Sequence, residues 1–278
     1  MENKYSIKNK IININEIRKL LSSDKYITES ESKKDDNPEK KLSFFKTFSF
    51  HADFLRLLLA LRKAILKEKC TEDFYIEYCF HVLKKVEKIG GRFEIKGFDN
   101  LRKEQGPFVL VGNHMSALET LIFPAVIGSI IPVTYVIKKS LMSHFIFGPI
   151  MRTRNPIAVE RKDPRKDLDA VLTGGVERLS SGTSVVIFPQ ATRTRLFEPD
   201  KFNSLGIKLA KRAGVSVIPF ALKTDVWANG KLVSDVGNFY PGRTAHIEFG
   251  APVKIDGTGK KEHEQIIDFI KTRFESWK

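Results

Sequence analysis

The chain has 278 residues, enough to bury a sizeable core in one catalytic domain with an N-terminal extension. Its 47 Lys and Arg against 33 Asp and Glu give a formal net charge of +14, which favours an anionic partner: an acidic lipid surface, a phosphorylated substrate, an acidic carrier protein or nucleic acid. The cysteines Cys70 and Cys79 are too far apart for a Cys-x-x-Cys motif, which argues against a zinc knuckle and for a reducing compartment.

Residues 1–41 are rich in Lys, Asn, Ser, Asp and Glu, and this composition predicts a disordered tail, with a short helix over Ile11 to Leu21 as its one candidate element. The opening Met-Glu-Asn-Lys lacks the charged-then-apolar pattern of a secretory signal, so the chain is expected in the cytoplasm or on that face of a membrane. Residues 42–90 form a helical region. Its first part, Leu42 to Lys69, is rich in phenylalanine and leucine, and Arg56, Ala60, Lys63 and Lys67 make one narrow stripe beside a broad apolar remainder. A second helix is predicted from Thr71 to Ile89. Two readings of this pair stand side by side: a membrane-docking element with phenylalanines in the acyl boundary, or helices that cover the sheet of the domain that follows. The longest uncharged run, Thr120 to Ile137, is interrupted by Pro124, Gly128, Ser129 and Pro132, and reads as a buried helix, a turn and a strand, not as a membrane span.

Residues 91–278 alternate strands and helices, the pattern of an α/β domain with a mostly parallel central sheet flanked by helices. Predicted strands are Phe93 to Lys96, Phe108 to Val111, Val133 to Ile137, Ile157 to Val159, Val185 to Phe188, Val215 to Leu222 and Ala245 to Phe249. Predicted helices are Ala117 to Val126, Lys166 to Leu179, Leu205 to Ala213 and Glu262 to Phe274. Ligands of open α/β sheets sit beyond the carboxyl ends of the strands. His114, Arg161 and Arg193 each fall just past such an end.

The stretch Val109-Leu-Val-Gly-Asn-His114-Met-Ser-Ala-Leu-Glu119 carries the chemistry. Its apolar run ends in a turn, and Ser116 with Glu119 has the form of a capping box that starts a helix. On a regular helix His114 and Glu119 would lie roughly 140° apart. With the helix starting between them, the imidazole can fold back over the first turn to the carboxylate. The carboxylate would then fix the tautomer and stabilise the imidazolium once the other nitrogen has taken a proton, which is how a His-carboxylate pair works as a general base. No serine or cysteine nucleophile is evident beside the pair, so the proton is expected from a substrate hydroxyl. The plainer alternative is that Glu119 only caps the helix and His114 only bonds a turn carbonyl.

Asn113-His114-Met-Ser116-Ala-Leu-Glu119 resembles the Asn-His-x-Ser-x-x-Asp signature of the glycerophospholipid acyltransferases, typified by the 1-acylglycerol-3-phosphate acyltransferases. Three further blocks resemble that family in order: Ile157-Ala-Val-Glu160-Arg161, Phe188-Pro-Gln190-Ala-Thr-Arg193 and Val217-Ile-Pro219-Phe220. The resemblance spans roughly Phe93 to Val253. It implies transfer of a fatty acyl group from acyl-coenzyme A or acyl carrier protein to a lysophospholipid hydroxyl, with 1-acylglycerol 3-phosphate as the foremost acceptor. His114 and Glu119 would be the catalytic pair. Arg161 and Arg193, whose guanidinium forks suit a phosphate, would hold the acceptor, with Thr192, Gln190 and Lys138 as further substrate-binding candidates. Apart from the resemblance, turn amides from Gly112 to Met115 are one candidate for holding the oxyanion. No cofactor beyond the thioester co-substrate is implied.

Three departures from the family pattern stand out. Glu119 replaces Asp, Gln190-Ala191 replaces Glu-Gly, and Asn203-Ser-Leu205 stands where Lys-Gly is frequent. These put the headgroup in question, so another lysolipid, such as a lysophosphatidylethanolamine or an amino-acid lysolipid, is a second reading. A non-catalytic basic protein of the membrane surface is a third. No aromatic-interleaved basic motif points to nucleic acid. Gly257-Thr-Gly259 lacks the spacing of a P-loop, and His51, His81, His144, His246 and His263 make no metal-spaced pair.

Overall fold

Short apolar runs bounded by Gly, Pro and Asn make the strands, and their alternate side chains feed two separate cores. The structure, a computed structural model, describes residues 12–29, 37–190, 192–230 and 236–277. Its strands are β1 (Lys25–Ile27), β2 (Arg92–Lys96), β3 (Val109–Gly112), β4 (Val133–Lys138), β5 (Ile157–Val159), β6 (Ser184–Ile187), β7 (Val217–Lys223) and β8 (Thr244–Phe249). Its α-helices are α1 (Ile14–Leu20), α2 (Phe44–Leu66), α3 (Glu72–Lys88), α4 (Phe98–Arg102), α5 (Ala117–Val126), α6 (Phe147–Arg152), α7 (Pro164–Ser180), α8 (Leu205–Ala213) and α9 (Lys260–Ser276). Among the described residues the strands form one sheet in the order β1-β2-β8-β7-β3-β6-β4-β5. The pairings β1–β2 and β7–β8 are antiparallel and the others parallel, so the expected mostly parallel α/β sheet is present.

Leu110, Val186, Ile218 and Leu222 face the core built with Phe80, Leu83, Leu118 and Ile122 of α3 and α5. Val109, Val111, Val185, Ile187 and Val217 face the other core, with Val171, Leu209, Ile266 and Ile270 of α7, α8 and α9. Period-two alternation in strands buried on both faces produces this division. Parallel pairing aligns the carboxyl ends of β3, β4, β5 and β6 on one edge, where Lys138 ends β4 and the loops that carry His114, Arg161 and Phe188 emerge.

Residues 12–29, placed in a tail expected to be largely disordered, are structured, and the short helix expected over Ile11 to Leu21 is present as α1. Asn13 and Glu16 close a capping box on α1, whose Ile14 and Ile17 are buried. β1 then pairs with β2 through Tyr26 and Ile95, and the Tyr26 hydroxyl donates to Glu87 at 2.8 Å. A three-residue edge strand in polar sequence has no periodicity long enough to be read. The short α4 and α6 escaped prediction for the same reason. β7 begins at Val217, later than the predicted Val215, because α8 ends on Gly214 in the left-handed region (φ 67°) and the Val215 amide bonds back to Ala210.

The helix α2 has two characters. Phe50, Phe54, Leu57, Leu58 and Leu61 are buried, whereas Phe44, Phe45 and Phe48 are 77%, 82% and 65% exposed, and Leu55, Leu59 and Leu66 are exposed beside them. One face therefore covers the domain and leaves the other unpaired. Among the described residues no helix is long and apolar enough to cross a membrane.

Candidate active site

β3 stops where Gly112 meets the Phe220 ring; a Cβ there would lie 2.2 Å from that ring. Asn113 then continues the strand's pairing with its side chain: its amide donates to the Leu222 carbonyl and its Oδ1 accepts from the Leu222 amide, both at 2.8 Å. The backbone is thereby released to turn. Ser116 caps α5, its hydroxyl accepting from the Leu118 amide at 3.1 Å, and the capping box with Glu119 is complete.

Glu119 is fully buried, so its carboxylate depends on donors. Oε1 accepts from the Met115 amide at 2.7 Å, the Ser116 amide at 2.8 Å and His114 Nδ1 at 3.0 Å. Oε2 accepts from the hydroxyls of Ser116 and Thr224, each at 2.7 Å. Burial pushes the carboxyl up, but the hydrogen bonds from His114, Thr224 and Ser116 outweigh it and hold the group at about 2, so it is an anion at neutral pH. An anion that accepts from Nδ1 places the ring's proton on that nitrogen and leaves Nε2 as the basic one. The ring stacks on Phe188 with centroids 4.2 Å apart, which fixes its plane.

The loop after β6 is bound to the same turn. The Thr194 amide donates to the His114 carbonyl at 2.9 Å, and the Gln190 carboxamide accepts from the His114 amide at 3.3 Å while donating to the Thr194 hydroxyl at 3.0 Å. This corrects the assignment of Gln190 to substrate binding. Its side chain is buried against the backbone of the His114 turn and does not line the cavity. Ala191 lies outside the described residues. The expectation for the oxyanion also changes, because the amides of His114 and Met115 already donate to Gln190 and Glu119.

Arg161 follows β5 in the left-handed region (φ 59°), which is uncommon for a residue with a Cβ. Asp167 of α7 holds that turn, accepting from the Glu160 and Arg161 amides at 2.8 Å each. The structure brings His114, Lys138, Arg161, Thr192 and Arg193 to one cavity of about 1250 Å³. Its inner wall is apolar, with Phe54, Leu58, Leu61, Val82, Ile150 and Met151, so α2, α3 and α6 supply much of it. Such a space suits an elongated apolar chain with an anionic end. Thr224, Asp167 and Phe188 are the site residues that sequence reasoning missed. Thr224 and Asp167 belong to no recognised motif, and Phe188 was read as a strand end and the first residue of the Phe188–Arg193 block, with no contact to His114 assigned to it. Among the described residues no group of three or more His, Cys, Asp and Glu is placed to hold a metal.

The acyltransferase family model matches residues 92–223. A 1-acyl-sn-glycerol-3-phosphate acyltransferase of Pseudomonas aeruginosa is 30% identical over 189 residues, covering 68% of this chain and 68% of that protein. A protein of the same description from Borreliella burgdorferi is 26% identical over 182 residues, covering 66% of this chain and 70% of its own. The crystal structure of the 1-acyl-sn-glycerophosphate (LPA) acyltransferase PlsC from Thermotoga maritima shares the fold, with a TM-score of 0.57 at 19% identity over 84% of this chain and 94% of that one. With a strand-turn-helix that pairs an imidazole to a buried carboxylate and relatives of this extent, the chain belongs to the glycerophospholipid acyltransferase family and is an acyltransferase of the 1-acylglycerol-3-phosphate type.

Proposed function

We propose that this protein transfers a fatty acyl group from a thioester, acyl-coenzyme A or acyl carrier protein, to the free hydroxyl of 1-acylglycerol 3-phosphate, giving phosphatidic acid. The observation that carries this reading is the 3.0 Å contact between His114 Nδ1 and Glu119 Oε1 at a cavity that is apolar within and cationic at Lys138, Arg161 and Arg193. His114 Nε2 removes the hydroxyl proton as the oxygen attacks the thioester carbonyl carbon. The carbon–sulfur bond then breaks, and the imidazolium returns the proton to the leaving thiolate. Glu119 holds the ring and offsets its charge while the proton is there. Arg161 and Arg193 fix the acceptor phosphate, assisted by Thr192 and Lys138, which makes the encounter of hydroxyl and base effectively intramolecular.

The exposed phenylalanines of α2 support residence on an anionic membrane, with the rings in the acyl boundary and the basic surface toward headgroups, and we place the protein on the cytoplasmic face. A labelled acyl-thioester assay over a panel of lysolipids and both donors tests the reaction. His114→Ala should abolish transfer while lysolipid binding persists, and activity within a few-fold of the parent would reject the assignment. Arg193→Ala should raise the Michaelis constant for the phosphate-bearing acceptor, and an effect confined to the donor would contradict its role.

A further inference from the structure

Thr224 follows directly on β7, 105 residues beyond Glu119, and the reaction scheme above does not use it. It is fully buried. Its hydroxyl donates to Glu119 Oε2 at 2.7 Å and lies 2.9 Å from the Ser116 hydroxyl, which is itself 2.7 Å from the same carboxylate oxygen. Each hydroxyl has a single proton. That of Thr224 points at Glu119, so the proton of Ser116 is shared between the carboxylate and the Thr224 oxygen. The Thr224 amide is anchored on Met115 Sδ at 3.2 Å, within the turn that carries His114.

The capping box by itself requires only that one Glu119 oxygen reach the Ser116 amide. It leaves the last torsion of the glutamate loosely defined, because that torsion has a broad profile. The second oxygen removes this freedom. Ser116 belongs to the same helical turn and moves with it, whereas Thr224 arrives from β7, whose register against β3 is set by the ladder from Val109–Val217 to Gly112–Phe220. The sheet therefore sets the orientation of the carboxylate through this one hydroxyl.

We infer that Thr224 is a positioning residue for acyl transfer: its hydroxyl, delivered by the end of β7, clamps Glu119 Oε2 so that Oε1 stays on the His114 ring. The inference rests on the reading of His114 as the base. Without that donor Oε1 is free to rotate away from the ring, so loss of the clamp should both misorient the imidazole and deprive its charged form of a held counter-charge. The charged groups that share the cavity, Lys138, Arg154, Arg161, Lys162, Asp167, Arg193 and Lys208, together with the imidazole of His144, are left in place by a change at Thr224. Asp225, the neighbouring acid, is paired with Arg243 at 2.9 Å.

The test is Thr224→Val, which keeps the shape and removes the hydroxyl, beside Thr224→Ser, which restores it. The ring of His114 is titrated by ¹⁵N NMR in the full chain, its signal assigned by its loss in His114→Ala. Thr224→Val should lower the titration midpoint of the ring and lower kcat at neutral pH about tenfold with the Michaelis constants nearly unchanged. Thr224→Ser should return both to the parent values. If Thr224→Val does not fold, Thr224→Ala carries the same expectation. An unmoved or raised midpoint overturns the proposal, as does a loss that Thr224→Ser fails to restore. If the unaltered protein transfers no acyl group, the reaction scheme fails, while the titration still decides the role of Thr224.

Discussion

Replacing Glu119 by glutamine removes one charge from the site and almost nothing else. The new side chain can direct its oxygen to the donors now on Oε1, the Met115 and Ser116 amides and His114 Nδ1, and its amide to the Ser116 and Thr224 hydroxyls. Those hydroxyls can rotate to accept, so the capping box survives. What is lost is the attraction between carboxylate and imidazolium at the moment of proton transfer. At the 3.0 Å separation, and with an effective dielectric of about 20, that attraction is on the order of 5 kcal/mol. Spread of charge over both groups lengthens the effective distance, so kcat should fall about 10³- to 10⁴-fold at 1.36 kcal/mol per decade. Michaelis constants should change little, because Glu119 has no exposure to the cavity. Initial rates across a substrate series, with circular dichroism to confirm the fold, measure this. A folded Glu119→Gln variant within about tenfold of the parent would refute the electrostatic role and leave the carboxylate as a helix cap.

The same carboxyl, held at about 2 against an unfolded value near 4.5, contributes stability that is complete above about pH 4.5 and is lost as pH falls toward 2. The contribution is on the order of 3 kcal/mol. Denaturant unfolding from pH 7 to pH 3 should therefore show the gap between parent and Glu119→Gln narrowing below about pH 4.5, and a gap independent of pH would contradict it. Gln190→Ala leaves the buried His114 amide without its side-chain acceptor and should cost about 1–3 kcal/mol in unfolding free energy, with acceptor affinity unchanged. A selective rise in the acceptor's Michaelis constant would restore Gln190 to the substrate site. Changing Phe44, Phe45 and Phe48 together to serine should weaken binding to anionic vesicles by more than about 10²-fold, with thermal stability unaltered because the three rings are exposed. Equal flotation of parent and variant would dismiss α2 as a docking element.

Features encoded within a few consecutive residues were legible before any coordinates. The start of α5 is one: Ser116 and Glu119 satisfy each other's backbone partners within one turn, and that local chemistry holds in any fold. The limits of α5, α8 and β5 follow the sequence pattern residue by residue, because apolar periodicity and flanking Gly and Asn mark them. The cations past the strand ends were legible too, since the carboxyl edge of a parallel sheet faces the ligand whatever the details. Arg161 and Arg193 do line the cavity with His114.

Other decisions were made by contacts far apart in the chain. Gln190 sits in a motif that a ligand can touch, yet its carboxamide oxygen accepts from the part-buried His114 amide, 76 residues away. Whether α2 packs inward or outward could not be read from its apolar surface; the core around Trp227 and Phe239 takes Phe50 and Phe54 and leaves Phe44, Phe45 and Phe48 uncovered. Sequence alone therefore determined the alternation of the longer strands and helices, the His114–Glu119 pair and the basic edge beside it, since each is short-range. Only the packed molecule decided which side chains complete that pair, because Thr224 meets Glu119 through the register of two strands, and register is a property of the whole sheet.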